Sequence, residues 1–136
     1  MYGGVSSNFG SFAEEYFFNS FDEGKQNFFG ENFDTIVKNS TDNNTGEYDI
    51  MMINGKAVAI IETKFKARAS GVSDTLKKAK QFRRNFPQYK SHKLYLGLAA
   101  LVFDTAIEQK CKNAGIAIIK QVGDTVVIND DQLKVF

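Results

Sequence analysis

The clearest pattern of apolar and polar positions lies in residues 47–64, Glu47-Tyr48-Asp49-Ile50-Met51-Met52-Ile53-Asn54-Gly55-Lys56-Ala57-Val58-Ala59-Ile60-Ile61-Glu62-Thr63-Lys64. Two strand-like runs flank Asn54-Gly55, a pair that favours a type I′ hairpin turn because both central residues tolerate positive φ. Side chains alternate faces along a strand. Glu47, Asp49, Met51 and Ile53 then share one face of the first strand, and Val58, Ile60, Glu62 and Lys64 one face of the second. A two-residue loop pairs Ile53 with Lys56, Met51 with Val58, Asp49 with Ile60 and Glu47 with Glu62. Asp49 and Glu62 become diagonal neighbours, roughly 5.5–8 Å apart.

The flanking segments supply helices and further strands. Gly10 to about Asp22 reads as a helix capped at Asn8 or Ser11, with Glu14 amid the stripe of Ala13, Phe17, Phe18 and Phe21, and Glu15 at its edge. Residues 23–32 are turn-rich, anchored by Phe28 and Phe29. Phe33 to Lys38 reads as a strand, and residues 39–46 as a polar loop. A helix capped at Ser73 or Asp74 runs to about Phe86, stopped by Pro87. Its apolar stripe is Leu76, Ala79, Phe82 and Phe86. His92 to Ala100 reads as a buried strand, Asp104 caps a helix through Asn113 closed by Gly115, and Ile116–Lys120 and Thr125–Ile128 are short strands around Gly123-Asp124. This order predicts the α/β class: a central mixed β-sheet flanked by helices on both faces. Residues 9–136 read as one domain after a linker or N-terminal extension at 1–8, as if cut from a longer chain.

Composition narrows the partners. A chain of 136 residues with 43% hydrophobic content can bury one core, here rich in Phe (13) and free of Trp. The net charge of +1 is no global signature of nucleic-acid binding, so an anionic partner needs a local patch. Lys64, Lys66, Arg68, Lys77, Lys78, Lys80, Arg83 and Arg84 make such a patch, readable either as a solvated helix face or as a phosphate-backbone contact. The DNA contacts expected from it are Lys66, Arg68, Lys77, Lys80 and Arg84. The single Cys111 argues against a disulfide scaffold and fits a reducing compartment. No apolar run reaches the ~18 residues of a transmembrane helix, and no signal peptide opens the chain. The expectation is a cytoplasmic protein with no membrane partner.

The open end of the hairpin carries the chemistry. Glu47, Asp49 and Glu62 meet there with Lys64, and like charges facing across a sheet are unfavourable. A hard divalent cation, Mg²⁺ or Mn²⁺, offsets them, since the donors are all oxygens. Glu14, on a buried helix face, either snorkels or pairs with a Lys, or joins that cation. One His and one Cys give no nucleophile setting. No glycine-rich phosphate loop is present, zinc has no Cys/His cluster, and Asp42-Asn43-Asn44 lacks the spacing of a calcium loop. Metal-assisted phosphodiester hydrolysis fits what remains. The plainer reading makes Glu62 and Lys64 an ion-pair ladder at a sheet edge, and leaves Asp49 and Glu14 unexplained.

Asp49 followed by Glu62-Thr63-Lys64 on a hairpin resembles the PD-(D/E)XK nuclease superfamily, which includes type II restriction endonucleases and archaeal Holliday-junction resolvases. Gly10-Ser11-Phe12-Ala13-Glu14 resembles the first-helix Gly-x-x-x-Glu of the resolvase-like branch. The predicted order matches the restriction-endonuclease-like αβββαβ core, and Gln81 falls where many members carry a Gln. The resemblance covers roughly residues 9–100, and the tail from Ala106 to Ile128 resembles bacterial branches. Tyr48 stands where the name-giving Pro would be. The resemblance implies that Asp49 and Glu62 bind Mg²⁺ or Mn²⁺ with the Thr63 carbonyl, and that Glu14 binds it directly or through water. It implies that Lys64 steadies the attacking hydroxide or the transition-state phosphate, and that Gln81 orients Lys64 or contacts the backbone. Glu47 is an extra ligand by pairing register alone. The function implied is a metal-dependent DNA endonuclease, with a homodimer as one way to cut both strands. The alternative is a catalytically inactive nuclease-fold module that binds nucleic acid or a protein partner. A third is a sheet-edge interaction domain without a nucleic-acid partner.

Overall fold

The computed structural model describes residues 2–24, 27–42 and 46–136, with the backbone alone at 2–8 and 27. Six strands form one mixed sheet in chain order: β3 (Thr35–Thr41), β4 (Glu47–Ile53), β5 (Ala57–Lys66), β6 (Lys93–Val102), β7 (Ala117–Val122) and β8 (Thr125–Asn129). β5, β6 and β7 run parallel, and the outer pairings are antiparallel. A two-stranded hairpin, β1 (Asn27–Phe28) and β2 (Glu31–Asn32), stands apart from that sheet. Helix α1 (Tyr2–Glu23) covers one face. Helices α2 (Ala69–Asn85) and α3 (Thr105–Ala114) cover the other. The αβββαβ core is therefore α1, β3–β5, α2 and β6. No helix among the described residues is long and apolar enough to cross a membrane.

The central strands explain the layering. Residues 57–63 of β5 are all buried, as are Leu94–Ala100 of β6, because each strand has helices on both sides. Val58 and Ile60 pack towards α2, while Ala57, Ala59 and Ile61 pack towards α1. A Cβ at Gly97 would lie 2.7 Å from Cδ1 of both Ile61 and Ile119, so a larger residue there would push those two side chains aside.

Several elements depart from the expected bounds. α1 begins at Tyr2, so residues 2–8, expected as a linker, are helical in backbone. Its buried stripe is Ala13, Phe17 and Phe21, and Glu14 sits half-buried on the flank rather than at the centre. α2 begins at Ala69 with no side-chain cap at Arg68, one turn before Ser73 or Asp74. Its first turns are held by burial of Gly71, Val72 and Thr75, and the Thr75 hydroxyl donates to the Gly71 carbonyl at 2.7 Å. α3 is bounded as expected: Asp104 accepts from the Ile107 N–H at 2.9 Å, and Gly115 closes it at φ 78°.

The hairpin register is the main correction. Neither Asn54 nor Gly55 takes a positive φ. Instead the Asn54 side-chain oxygen accepts from the N–H groups of Lys56 and Ala57, both at 2.7 Å, and the Asn54 N–H donates to the Ala57 carbonyl. This Asx arrangement lengthens the loop. Ile53 pairs with Val58, Met51 with Ile60 and Ile50 with Ile61. The β4–β5 pairing ends at Ile50 and Ile61, so the expected Asp49–Ile60 and Glu47–Glu62 pairs do not form. The slip is even, so it does not by itself turn any residue to the other face.

Candidate active site

Glu62 and Lys64 extend the β5 face that begins with Val58 and Ile60, and emerge beneath α2 where the apolar core ends. Glu62 is only 6% exposed. Burial is the main force raising its carboxyl pKa, to about 8, and the Asp49 charge adds to it; Lys78 and then Lys64 oppose the shift. Glu62 Oε2 is buried without a hydrogen-bond partner. Such an orphan is expensive unless something else supplies the positive end.

Asp49 supplies the second carboxylate. Its Oδ2 accepts from the Thr63 N–H at 3.0 Å and the Thr63 hydroxyl at 3.2 Å. The strand is interrupted at this point. Lys38 pairs with Ile50 and Ser40 with Tyr48, but Asn39 between them takes a left-handed backbone at φ 55°. Ile50 packs on the α1 side and Tyr48 on the α2 side, so the alternation breaks at Asp49. Glu47 consequently falls with Glu14, whose pKa it helps raise, rather than on the Glu62 face. This corrects the shared face expected for Glu47, Asp49 and Met51.

Glu14 reaches the same strand end from α1. Burial chiefly raises its pKa, with the Asp49 charge next; Lys38 and Asn39 counter this. In the orientation that satisfies both groups, the Asn39 amide nitrogen donates to Glu14 Oε2 at 2.7 Å. Among the described residues, no group of three or more Asp, Glu, His or Cys side chains comes together as a metal site. The arrangement is a pair of buried Glu62 and half-buried Asp49, with Glu14 outside it. The pair nonetheless fits a hard cation, through an all-oxygen donor set and a buried oxygen that lacks a partner.

Beside Glu62 lies a groove of about 590 Å³ lined by Glu62, Lys64, Asp74, Lys77, Lys78, Lys80, Gln81 and Arg84. It brings the predicted Gln81, Lys77, Lys80 and Arg84 to Glu62 and Lys64. Lys66 and Arg68 line a second cavity, of about 350 Å³, at the end of β5, and Lys64 borders both. Lys78 is absent from the predicted contact residues, yet it is the foremost cation opposing the Glu62 shift. Its ammonium donates to the Glu47 carbonyl and lies 5.2 Å from the Tyr48 ring centre. The available signal was helical phase, since Lys78 stands three residues before Gln81 on the same helix face. Arg83 leaves the phosphate patch, because its guanidinium donates to the carbonyls of Tyr89 at 3.0 Å and His92 at 2.8 Å.

Tyr48, in place of the expected Pro, is buried, and its hydroxyl donates to Asp42 Oδ2 at 3.0 Å. Asn85 of α2 donates to the same oxygen at 2.9 Å. Desolvation and the Asp42 contact push the Tyr48 phenol well above its usual range. This network ties the β3–β4 connection to α2. Residues 43 and 44 of the weighed calcium loop lie outside the described residues.

No protein-family model matches the chain, and no curated protein sequence matches it. Among solved structures, the crystal structure of a repair endonuclease from Pyrococcus abyssi is similar, with a TM-score of 0.61 and 16% sequence identity. The match covers 79% of this chain and 46% of that one, so the chain corresponds to less than half of that endonuclease. The likeness is one of fold.

Proposed function

We propose that the chain is a metal-dependent nuclease that hydrolyses phosphodiester bonds in DNA at the Glu62 end of the β4–β5 hairpin. The observation that carries this reading is the buried, partnerless Glu62 oxygen beside Asp49, opening onto a groove lined with cations. The fold likeness to a repair endonuclease supports it.

Asp49 and Glu62 would hold Mg²⁺ or Mn²⁺ with the Thr63 carbonyl, and Glu14 would reach it through water. When bound, the ion supplies Lewis acidity and lowers the pKa of a water molecule. Thr63 fixes one Asp49 oxygen with two hydrogen bonds, and the other would serve as the ligand. Lys64 follows Glu62 on the same face, roughly 6.6–6.8 Å along the strand. From there its ammonium can hold the charge that builds on the phosphate. Gln81 in the groove orients Lys64 or hydrogen-bonds the backbone, and Lys77, Lys80 and Arg84 hold the flanking phosphates. Lys78 is a positioning residue that favours the ionised form of Glu62 against the burial that opposes it. A homodimer would place two such grooves on opposite strands.

A binding-only module is the second reading. It is favoured by one observation, the failure of three carboxylates to close into one group. Incubation of labelled duplex, branched and single-stranded DNA with Mg²⁺ or Mn²⁺ separates the two. The nuclease cleaves at least one substrate, and both Glu62→Ala and Lys64→Ala abolish cleavage. A clean preparation that cuts none of them with either metal refutes the enzyme and leaves the binding module.

A further inference from the structure

Phe9 of α1 and Phe65 of β5 are both solvent-exposed, at 49% and 41%, yet their rings contact each other with centroids 5.1 Å apart. Phe65 continues the α1-side face of β5, and Lys64 and Lys66 the α2-side face, so the strand end carries rings on one side and ammonium groups on the other. Both sides border the cavity of about 350 Å³, with Arg68, Ser70 and Gly71 completing its wall. Among the described residues no carboxylate lines it, in contrast to the groove that holds Glu62 and Asp74.

We infer that this cavity binds an unpaired nucleotide of a DNA strand, with its base stacked on the Phe9–Phe65 pair and its phosphate held by Lys66 and Arg68. The two rings contact each other but leave much of their surface exposed, and a nucleobase covers it without needing a sequence-specific partner. The neighbouring cations match the phosphate that every nucleotide carries, and the rings match its base. A neutral lipid or an uncharged peptide would use the rings but would leave the cations Lys64, Lys66 and Arg68 unpaired. Lys64 borders both cavities, so the stacked nucleotide sits next to the phosphate at the Glu62 groove. The substrate class is then DNA with a single-stranded segment adjoining the cut, rather than uninterrupted duplex. This deepens the nuclease reading and rests on it for the word substrate.

The test uses the full chain in EDTA, so that binding is read without cleavage. A single-stranded oligonucleotide carrying 2-aminopurine and a blunt duplex of the same sequence are titrated with wild type, Phe9→Ala, Phe65→Ala and Phe65→Trp. Wild type quenches the 2-aminopurine. Each alanine variant weakens single-strand binding by about fivefold or more and relieves the quench, while duplex affinity stays within about twofold. Phe65→Trp retains both signals. Unchanged quenching and affinity in both alanine variants overturn the inference even if the protein proves an active nuclease. Quenching by a protein that cleaves nothing supports the stacking site and removes only the catalytic reading. Dimerisation that is lost in Phe65→Ala, with quenching unaltered, would assign the rings to a contact between copies and overturn the inference.

Discussion

The two ends of the β4–β5 hairpin are built from similar residues and treated oppositely. At the turn, Asn54 leaves little unsatisfied. Its side-chain oxygen takes two backbone N–H groups, its amide donates to the Asn32 carbonyl at 3.0 Å, and its own carbonyl meets His92 Nε2 at 3.1 Å. At the open end, two carboxyl groups are brought together, the backbone alternation breaks at Asp49, and a Glu62 oxygen is buried with nothing to bind. Both ends are polar, and only one is complete. A satisfied polar cluster explains itself by holding the fold, whereas an unsatisfied one next to a cation-lined groove calls for a ligand.

The comparison breaks most visibly through activity. Glu62→Ala or Asp49→Ala should reduce DNA cleavage by more than the ~10–100-fold typical of a residue that merely supports a metal ligand. Asn54→Ala should leave turnover per folded molecule unchanged. Comparable losses at both ends, measured as kcat on the same DNA substrate, would mean that the contrast between them is false.

Stability against pH sharpens it next. In the folded chain the Glu62 pKa is raised from 4.5 to about 8. The native state therefore binds the extra proton, and the metal-free protein loses stability as pH rises from about 4.5 through 8. The loss has an upper bound of about 4–5 kcal/mol. Denaturant unfolding in EDTA at pH 5 and pH 8 should show most of it, and Glu62→Gln should flatten the slope. A wild-type curve as flat as the variant's would show that the Glu62 carboxyl is not strained by its site.

The turn end yields a smaller effect of a different kind. Asn54→Ala strands the N–H groups of Lys56 and Ala57 and should cost about 1–3 kcal/mol in denaturant unfolding, with no pH dependence of its own. Smallest are the single cations. Lys80→Ala and Arg84→Ala should each lower the slope of log binding against log salt by about 1, as expected of phosphate contacts. Arg83→Ala should leave that slope alone and cost stability, because its donors are occupied by the carbonyls of Tyr89 and His92.

Much of this was legible in the residues. The apolar runs around Asn54-Gly55 located the hairpin, Asp104 and Gly115 bounded α3, and the order of elements gave the α/β core. Glu62, Lys64 and Gln81 could be grouped because strand alternation and helix phase are local rules. What escaped depended on single backbone or side-chain conformations. Asn54 turns the chain with its carboxamide rather than with positive φ, which moves the register by two residues. Asn39 takes the left-handed conformation in mid-strand, opposite the point where the β4 alternation breaks and Glu47 turns away from Glu62. No periodicity encodes either choice. The early start of α2 reflects burial of Val72 and Gly71 against the sheet, which outweighs the capping preference of Ser73 and Asp74. Lys78 was hidden among like residues, and helical phase with Gln81 alone does not separate it from Lys77.

The most direct test of the open end is calorimetric titration of Mn²⁺ into wild type and Glu62→Gln at pH 7. The expected result is one Mn²⁺ bound per wild-type chain with proton release, and loss of that binding in Glu62→Gln. A wild-type protein that takes up no Mn²⁺, or a Glu62→Gln variant that binds it equally well, would contradict a metal site built on Asp49 and Glu62.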